Sequence, residues 1–104
     1  MGEIARKLGL RIKELREKRG LTQLKLADIL NMEASNLSKI ERGIQIPKEE
    51  SLENISKALD VGISELFEYE HFSTREELLG KINKILEKSS ESELRQYYKL
   101  LVNL

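Results

Sequence analysis

The chain has 104 residues, 39% hydrophobic and 35% charged, with one proline and no cysteine. That length supports one domain, or one small domain with an appended element, and the lack of cysteine excludes disulfides, thiolate metal sites and cysteine nucleophiles. Net charge is zero, but residues 1–48 hold 11 Lys/Arg against 6 Asp/Glu and residues 49–104 hold 7 against 12, a split that fits a polyanion partner for the first half as well as two ordinary solvated halves.

Leu, Ile, Lys and Glu dominate and β-branched runs are missing, which is the composition of an all-α protein. The first helix is marked by Ile4, Leu8, Ile12 and Leu15, one stripe at helical spacing, with Arg6, Lys7, Arg11, Lys13 and Lys18 on the other faces. Gly9 weakens helix propensity, so the regular helix is expected only after it. Gly20, following Lys18 and Arg19, reads as its stop, with the cations on the negative end of the dipole.

Thr22 caps a short second helix, Gln23 to Leu30, with Leu26, Ala27 and Leu30 on one face. Asn31 follows, and after glycine asparagine most readily takes the left-handed conformation that turns a chain out of a helix. A new apolar pattern, Met32, Leu37 and Ile40, then runs to Gly43. One continuous helix over 22–42 would scatter Leu26, Met32 and Leu37 around its circumference, so the segment reads as two helices with a corner at Asn31.

Beyond an Ile-Gln-Ile-Pro connector, Glu49 and Glu50 open a fourth helix bearing Leu52, Ile55 and Leu59, which Asp60-Val61-Gly62 breaks. A brief fifth helix, Ile63 to Glu68, is expected to bury Leu66 and Phe67. Ser73 or Thr74 caps a sixth through Lys88, with Leu78, Ile82, Ile85 and Leu86 as its stripe. Ser90 and Glu93 match a capping box that opens a seventh, carrying Leu94, Tyr97, Tyr98, Leu101 and Leu104.

Two short helices joined by a tight turn form a helix-turn-helix, which places its second helix in the DNA major groove while the first crosses the backbone. Ala27 stands where the two helices should approach most closely. Leu37 and Ile40 would hold the second helix to the core, leaving Ala34, Ser35, Asn36, Ser38 and Lys39 facing outward or sideways. That small, polar, cation-ended set suits a groove of donors, acceptors and thymine methyls.

The run RIKELREKRGLTQLKLADILNMEASNLSKIERG followed by SLENISKALDVGISELF resembles the Cro/repressor-type helix-turn-helix family, also called the XRE family, over about residues 7 to 68. The resemblance implies a five-helix lambda-repressor-like DNA-binding domain over 1–68, with its motif at about 22–42, and the two capped helices beyond it form a two-helix C-terminal extension over 69–104. It also implies base reading by Gln23, Ala34, Ser35, Asn36 and Lys39 with the helix at about 33–41, phosphate contacts at Thr22, Ser38 and Arg42, and a structural ion pair between Arg16 and Glu41. Asn31 replaces the family's usual glycine. Leu24 and Ile29 are apolar where the family is often polar.

The partner expected from this is double-stranded DNA carrying a pseudo-palindromic operator, and the function a transcriptional regulator of the repressor type. Since five helices already complete a domain, the apolar faces of the last two are expected to pair in a homodimer through Leu78, Ile82, Ile85, Leu94, Tyr97, Tyr98 and Leu101; folding back as a hairpin is the alternative. A second class of function is an antitoxin-like or anti-repressor protein-interaction module that keeps the helix-turn-helix for autoregulation. An enzyme is not expected. His71 stands alone in a connector, and neither a P-loop nor a dinucleotide fingerprint is present, so no cofactor and no metal are anticipated. No run approaches the roughly 18 apolar residues of a membrane span, and Glu3 with no apolar run after it argues against a signal peptide, which leaves a cytoplasmic protein as the expectation.

Overall fold

In the computed structural model, which describes residues 2–104, all regular elements among the described residues are helical. They are α1 (Glu3–Lys18), α2 (Gln23–Leu30), α3 (Ala34–Glu41), α4 (Glu49–Ala58), 3₁₀ turns at Ile63–Phe67 and Glu70–Phe72, α5 (Arg75–Lys88) and α6 (Glu91–Val102). They divide into two compact units, the first running through Phe72 and the second spanning Ser73–Leu104.

In the first unit one apolar cluster joins α1 through α4 and the Ile63–Phe67 turn. Leu8, Ile12 and Leu15 of α1 meet Leu26 and Ala27 of α2, Leu37 and Ile40 of α3, Ile55 of α4, Leu59 at its end, and Leu66. Burial of each large aliphatic side chain contributes about 1.5–3 kcal/mol, so this cluster holds α2 and α3 on α1 and α4. Asn31 makes the corner expected of it: at φ 54° and ψ 46° it is left-handed, and the Met32 N–H reaches back to the Ala27 carbonyl at 3.0 Å to close the end of α2.

Three features differ from the sequence expectation, each for a physical reason. α1 begins at Glu3 and runs through Gly9 without interruption. The glycine is a contact residue there: a Cβ on it would collide with the Ile40 carbonyl oxygen and lie 2.6 Å from that of Glu41. Phe67 is exposed and edge-on to Tyr69, whereas Leu66 is fully buried. The segment is a 3₁₀ turn, in which consecutive side chains point about 120° apart, so neighbours cannot share the inward face.

Finally, the first unit extends past residue 68. His71 Nε2 sits 2.9 and 3.0 Å from the two carboxylate oxygens of Glu14, and Arg6 donates to the Phe72 carbonyl at 3.4 Å. Arg11 joins the same cluster, with Nη1 2.6 Å from Glu14 and Nε donating to the Glu65 carbonyl at 2.9 Å. Burial pushes the Glu14 carboxyl up, but hydrogen bonds from Arg11 and His71 outweigh it and hold the group below the usual carboxylate range.

The second unit owes its helices to local rules. Thr74 accepts from the Glu77 N–H at 3.2 Å, and Ser90 and Glu93 form the reciprocal capping box at 3.0 and 3.2 Å. Neither α5 nor α6 buries a side chain fully. They border an apolar groove of about 340 Å³ lined by Ile82, Ile85, Leu86, Tyr97, Leu100 and Leu101. No helix among the described residues is long and apolar enough to cross a membrane.

Candidate nucleic-acid interface

The two inward positions of α3, Leu37 and Ile40, settle which side it shows to solvent. At 3.6 residues per turn, their burial leaves Ser35 and Lys39 on the opposite, exposed side, and Asn36, on a flank of the helix, is exposed as well. Ala34 and Ser38 are half-buried flanks, and Ala34 packs partly against the core. Glu33 precedes the helix, and its carboxylate accepts the Ser35 hydroxyl at 3.4 Å. The exposed face of α3 is thus narrower than the sequence pattern implied: three exposed polar side chains, with Arg42 exposed just beyond the helix end.

A buried ionic network fixes the attitude of that helix. Arg16 on α1 grips Glu41 on α3 with both arms of its guanidinium, Nε to Oε2 at 2.7 Å and Nη2 to Oε1 at 3.0 Å. The Glu41 side chain is 2% exposed and that of Arg16 is 10% exposed. The third arm, Nη1, donates to the Leu21 carbonyl at 2.8 Å, just before α2. The Glu41 hydrogen bond raises the Arg16 pKa against the opposing effect of burial, so the guanidinium stays charged at any working pH.

Gln23 completes this network, donating from Nε2 to Glu41 Oε1 at 3.0 Å. An ionised carboxylate can only accept, so the Gln23 amide must turn its nitrogen toward Glu41. Its carbonyl oxygen and second N–H remain for other partners. One side chain on α1 and one on α3 therefore orient the first residue of α2. No periodicity relates Gln23 to Glu41, and the sequence carried no signal for that link.

The remaining candidates occupy the rim. Thr22 accepts from the Lys25 N–H at 3.1 Å as the α2 cap, which leaves its hydroxyl proton available to a further acceptor. Arg42 Nε lies 3.4 Å from the Ser38 carbonyl, with its guanidinium in solvent. In the second unit Leu78, Ile82, Ile85, Leu94, Tyr98 and Leu101 are exposed and Tyr97 is half-buried. Leu24 and Ile29 are also exposed. Among the described residues no cluster of His, Asp and Glu gathers to hold a metal.

Residues 12–66 match the helix-turn-helix family model HTH_3. The chain is 34% identical over 89 residues to the HTH-type transcriptional regulator ImmR of Bacillus subtilis (strain 168), covering 83% of this chain and 70% of that protein. It is likewise 34% identical over 95 residues to the immunity repressor protein of Bacillus phage phi105, covering 79% of this chain and 66% of that one. Among solved structures, the biofilm master regulator SinR in complex with DNA superposes with a TM-score of 0.56 at 37% identity, over 59% of this chain and 98% of that one. With the matched segment spanning more than half of its length and the left-handed corner, inward pair and buried Arg16–Glu41 brace all inside that segment, the chain belongs to the Cro/repressor-type (XRE) helix-turn-helix family.

Proposed function

We propose that the chain is a sequence-specific double-stranded DNA-binding transcriptional regulator acting as a repressor, with α3 reading the major groove. The observation that carries this reading is the exposed polar face Ser35, Asn36 and Lys39 on a short helix behind a left-handed corner. The buried Arg16–Glu41–Gln23 network supports it from behind, because a side chain can discriminate bases only if the helix that carries it is held in place. Ser35, Asn36 and Lys39 then contact base edges, with Ala34 offering a methyl at the flank. Thr22, Ser38 and Arg42 contact phosphates, and Gln23 works at the boundary between the two. The immunity repressor of phage phi105 among its relatives supports the sign of regulation.

The exposed apolar residues of α5 and α6 support assembly as a homodimer through residues 73–104. A two-fold dimer would set two recognition helices about 34 Å apart, one DNA turn, and call for a pseudo-palindromic operator. The same apolar groove, in the acidic half of the chain, favours a second reading in which this surface engages a different protein, as an antitoxin or anti-repressor would. The mass of the purified chain in solution separates the two: a dimer supports the first, and a monomer that pairs only with a host protein supports the second.

The test of base reading is substitution. Ser35→Ala and Lys39→Ala should each relax preference at one or two base pairs, by roughly 1–3 kcal/mol, whereas Arg42→Ala should weaken binding to all sequences alike. Competition binding against a set of single-base operator variants reads this out. Unchanged preference in both alanine variants would remove Ser35 and Lys39 from the site.

A further inference from the structure

Beside the reading helix, between α1, the start of α2 and the end of α3, lies a cleft of about 500 Å³. Arg6, Leu10 and Lys13 line it from α1, Gln23 from α2, and Ser38, Glu41 and Arg42 from α3 and its end. Arg6, Leu10 and Lys13 follow helical spacing, so they present one face of α1 to it. Glu41, the one acidic residue in the lining, is neutralised by two-armed contact with Arg16 and is buried. With Arg6 paired to Glu3, what remains is positive charge from Lys13 and Arg42, together with neutral donors from the Ser38 hydroxyl and the second Gln23 N–H.

These side chains differ in their engagements. Arg6 reaches Glu3 at 3.2 Å and the Phe72 carbonyl at 3.4 Å. Lys13 is exposed and makes no ion pair or hydrogen bond among the described residues, although Glu17 stands one turn away on the same helix. Lys13 also borders a second cleft, lined by Glu14, Glu17, Lys18 and Phe72. That cleft has two carboxylates of its own, so an anion at Lys13 is favoured only on the side that opens toward Gln23 and Arg42.

We infer that this cleft seats a phosphate of the DNA backbone and that Lys13 is the cation α1 contributes to it, extending the footprint from the helix-turn-helix onto the first helix. The ligand is a phosphodiester, which a compact ammonium on a flexible stem suits as a point charge. The cleft runs continuously into Gln23, Ser38 and Arg42, the rim residues of the proposed DNA surface, so a strand crossing there passes over it. The inference rests on the DNA-binding reading.

The test uses the full chain, Lys13→Gln, and Lys18→Gln as a control on the acidic side of the same helix. Binding to a preferred duplex and to an unrelated duplex is measured over a salt series. Loss of one phosphate contact should lower the dependence of log affinity on log salt by about 1 and weaken both duplexes by the same factor. Lys18→Gln should keep the slope of the unsubstituted chain. A Lys13→Gln slope equal to that of the unsubstituted chain, or an equal fall for both lysine variants, overturns the phosphate seat while leaving DNA binding in place. If the unsubstituted chain binds neither duplex, the DNA-binding reading and the phosphate seat both fail.

Discussion

Arg16→Met should lower the stability of the first unit by about 3–5 kcal/mol, because it leaves a buried carboxylate without its countercharge. Glu41 would keep only the hydrogen bond from Gln23, and the Leu21 carbonyl would lose its donor as well. The pair itself is a poor source of net stability, since desolvating both ions offsets most of their attraction. The double substitution Arg16→Met with Glu41→Leu should therefore recover most of the loss. Urea unfolding followed by circular dichroism measures both. Recovery of stability need not bring recovery of DNA affinity, because the doubly substituted chain no longer orients Gln23. A single variant with unchanged stability would show that the network does not brace α3.

Gly9→Ala sets two effects against each other. Helix propensity favours alanine by about 0.8–1 kcal/mol in a helix interior. Against it, the new Cβ would collide with the Ile40 carbonyl oxygen and stand 2.6 Å from that of Glu41. Both are backbone atoms of the last turn of α3, so no side chain can swing away to make room. Relief requires α1 and α3 to separate, and overpacking of this kind costs about 1–3 kcal/mol. The clash should win, with a net loss of about 1 kcal/mol or more and a further loss of DNA affinity as the reading helix is displaced. Gly80 supplies the comparison. It lies in α5 and a Cβ there meets nothing within 4 Å, so Gly80→Ala should stabilise the chain by about 0.5–1 kcal/mol. Opposite signs in thermal denaturation would confirm that the two glycines serve different purposes.

What could be read from the sequence was what short-range chemistry determines. The corner at Asn31, the caps at Thr22 and Ser90 and the inward pair Leu37 and Ile40 each depend on residues within one or two turns, and each stands where spacing put it. Gly9 departs from its propensity because its purpose lies at Ile40 and Glu41, far along the chain, while propensity alone marks it as a weakness. Phe67 departs from its apolar pattern because the 3₁₀ turn that buries Leu66 points the next side chain outward. The His71–Glu14 contact that carries the first unit on to Phe72 likewise joins residues with no periodic relation. On the candidate interface, the pattern supplied the side chains but not their order of exposure. Ala34 and Ser38 flank the surface, and Gln23 is committed through its nitrogen to Glu41.

Selection of binding sites from a pool of random duplex DNA, using the purified full chain, is the direct test of sequence-specific binding by α3. Enrichment of two related half-sites in inverted orientation is expected, their centres about one helical turn or 10–10.5 base pairs apart. A pool that emerges with no enriched sequence would contradict sequence-specific binding.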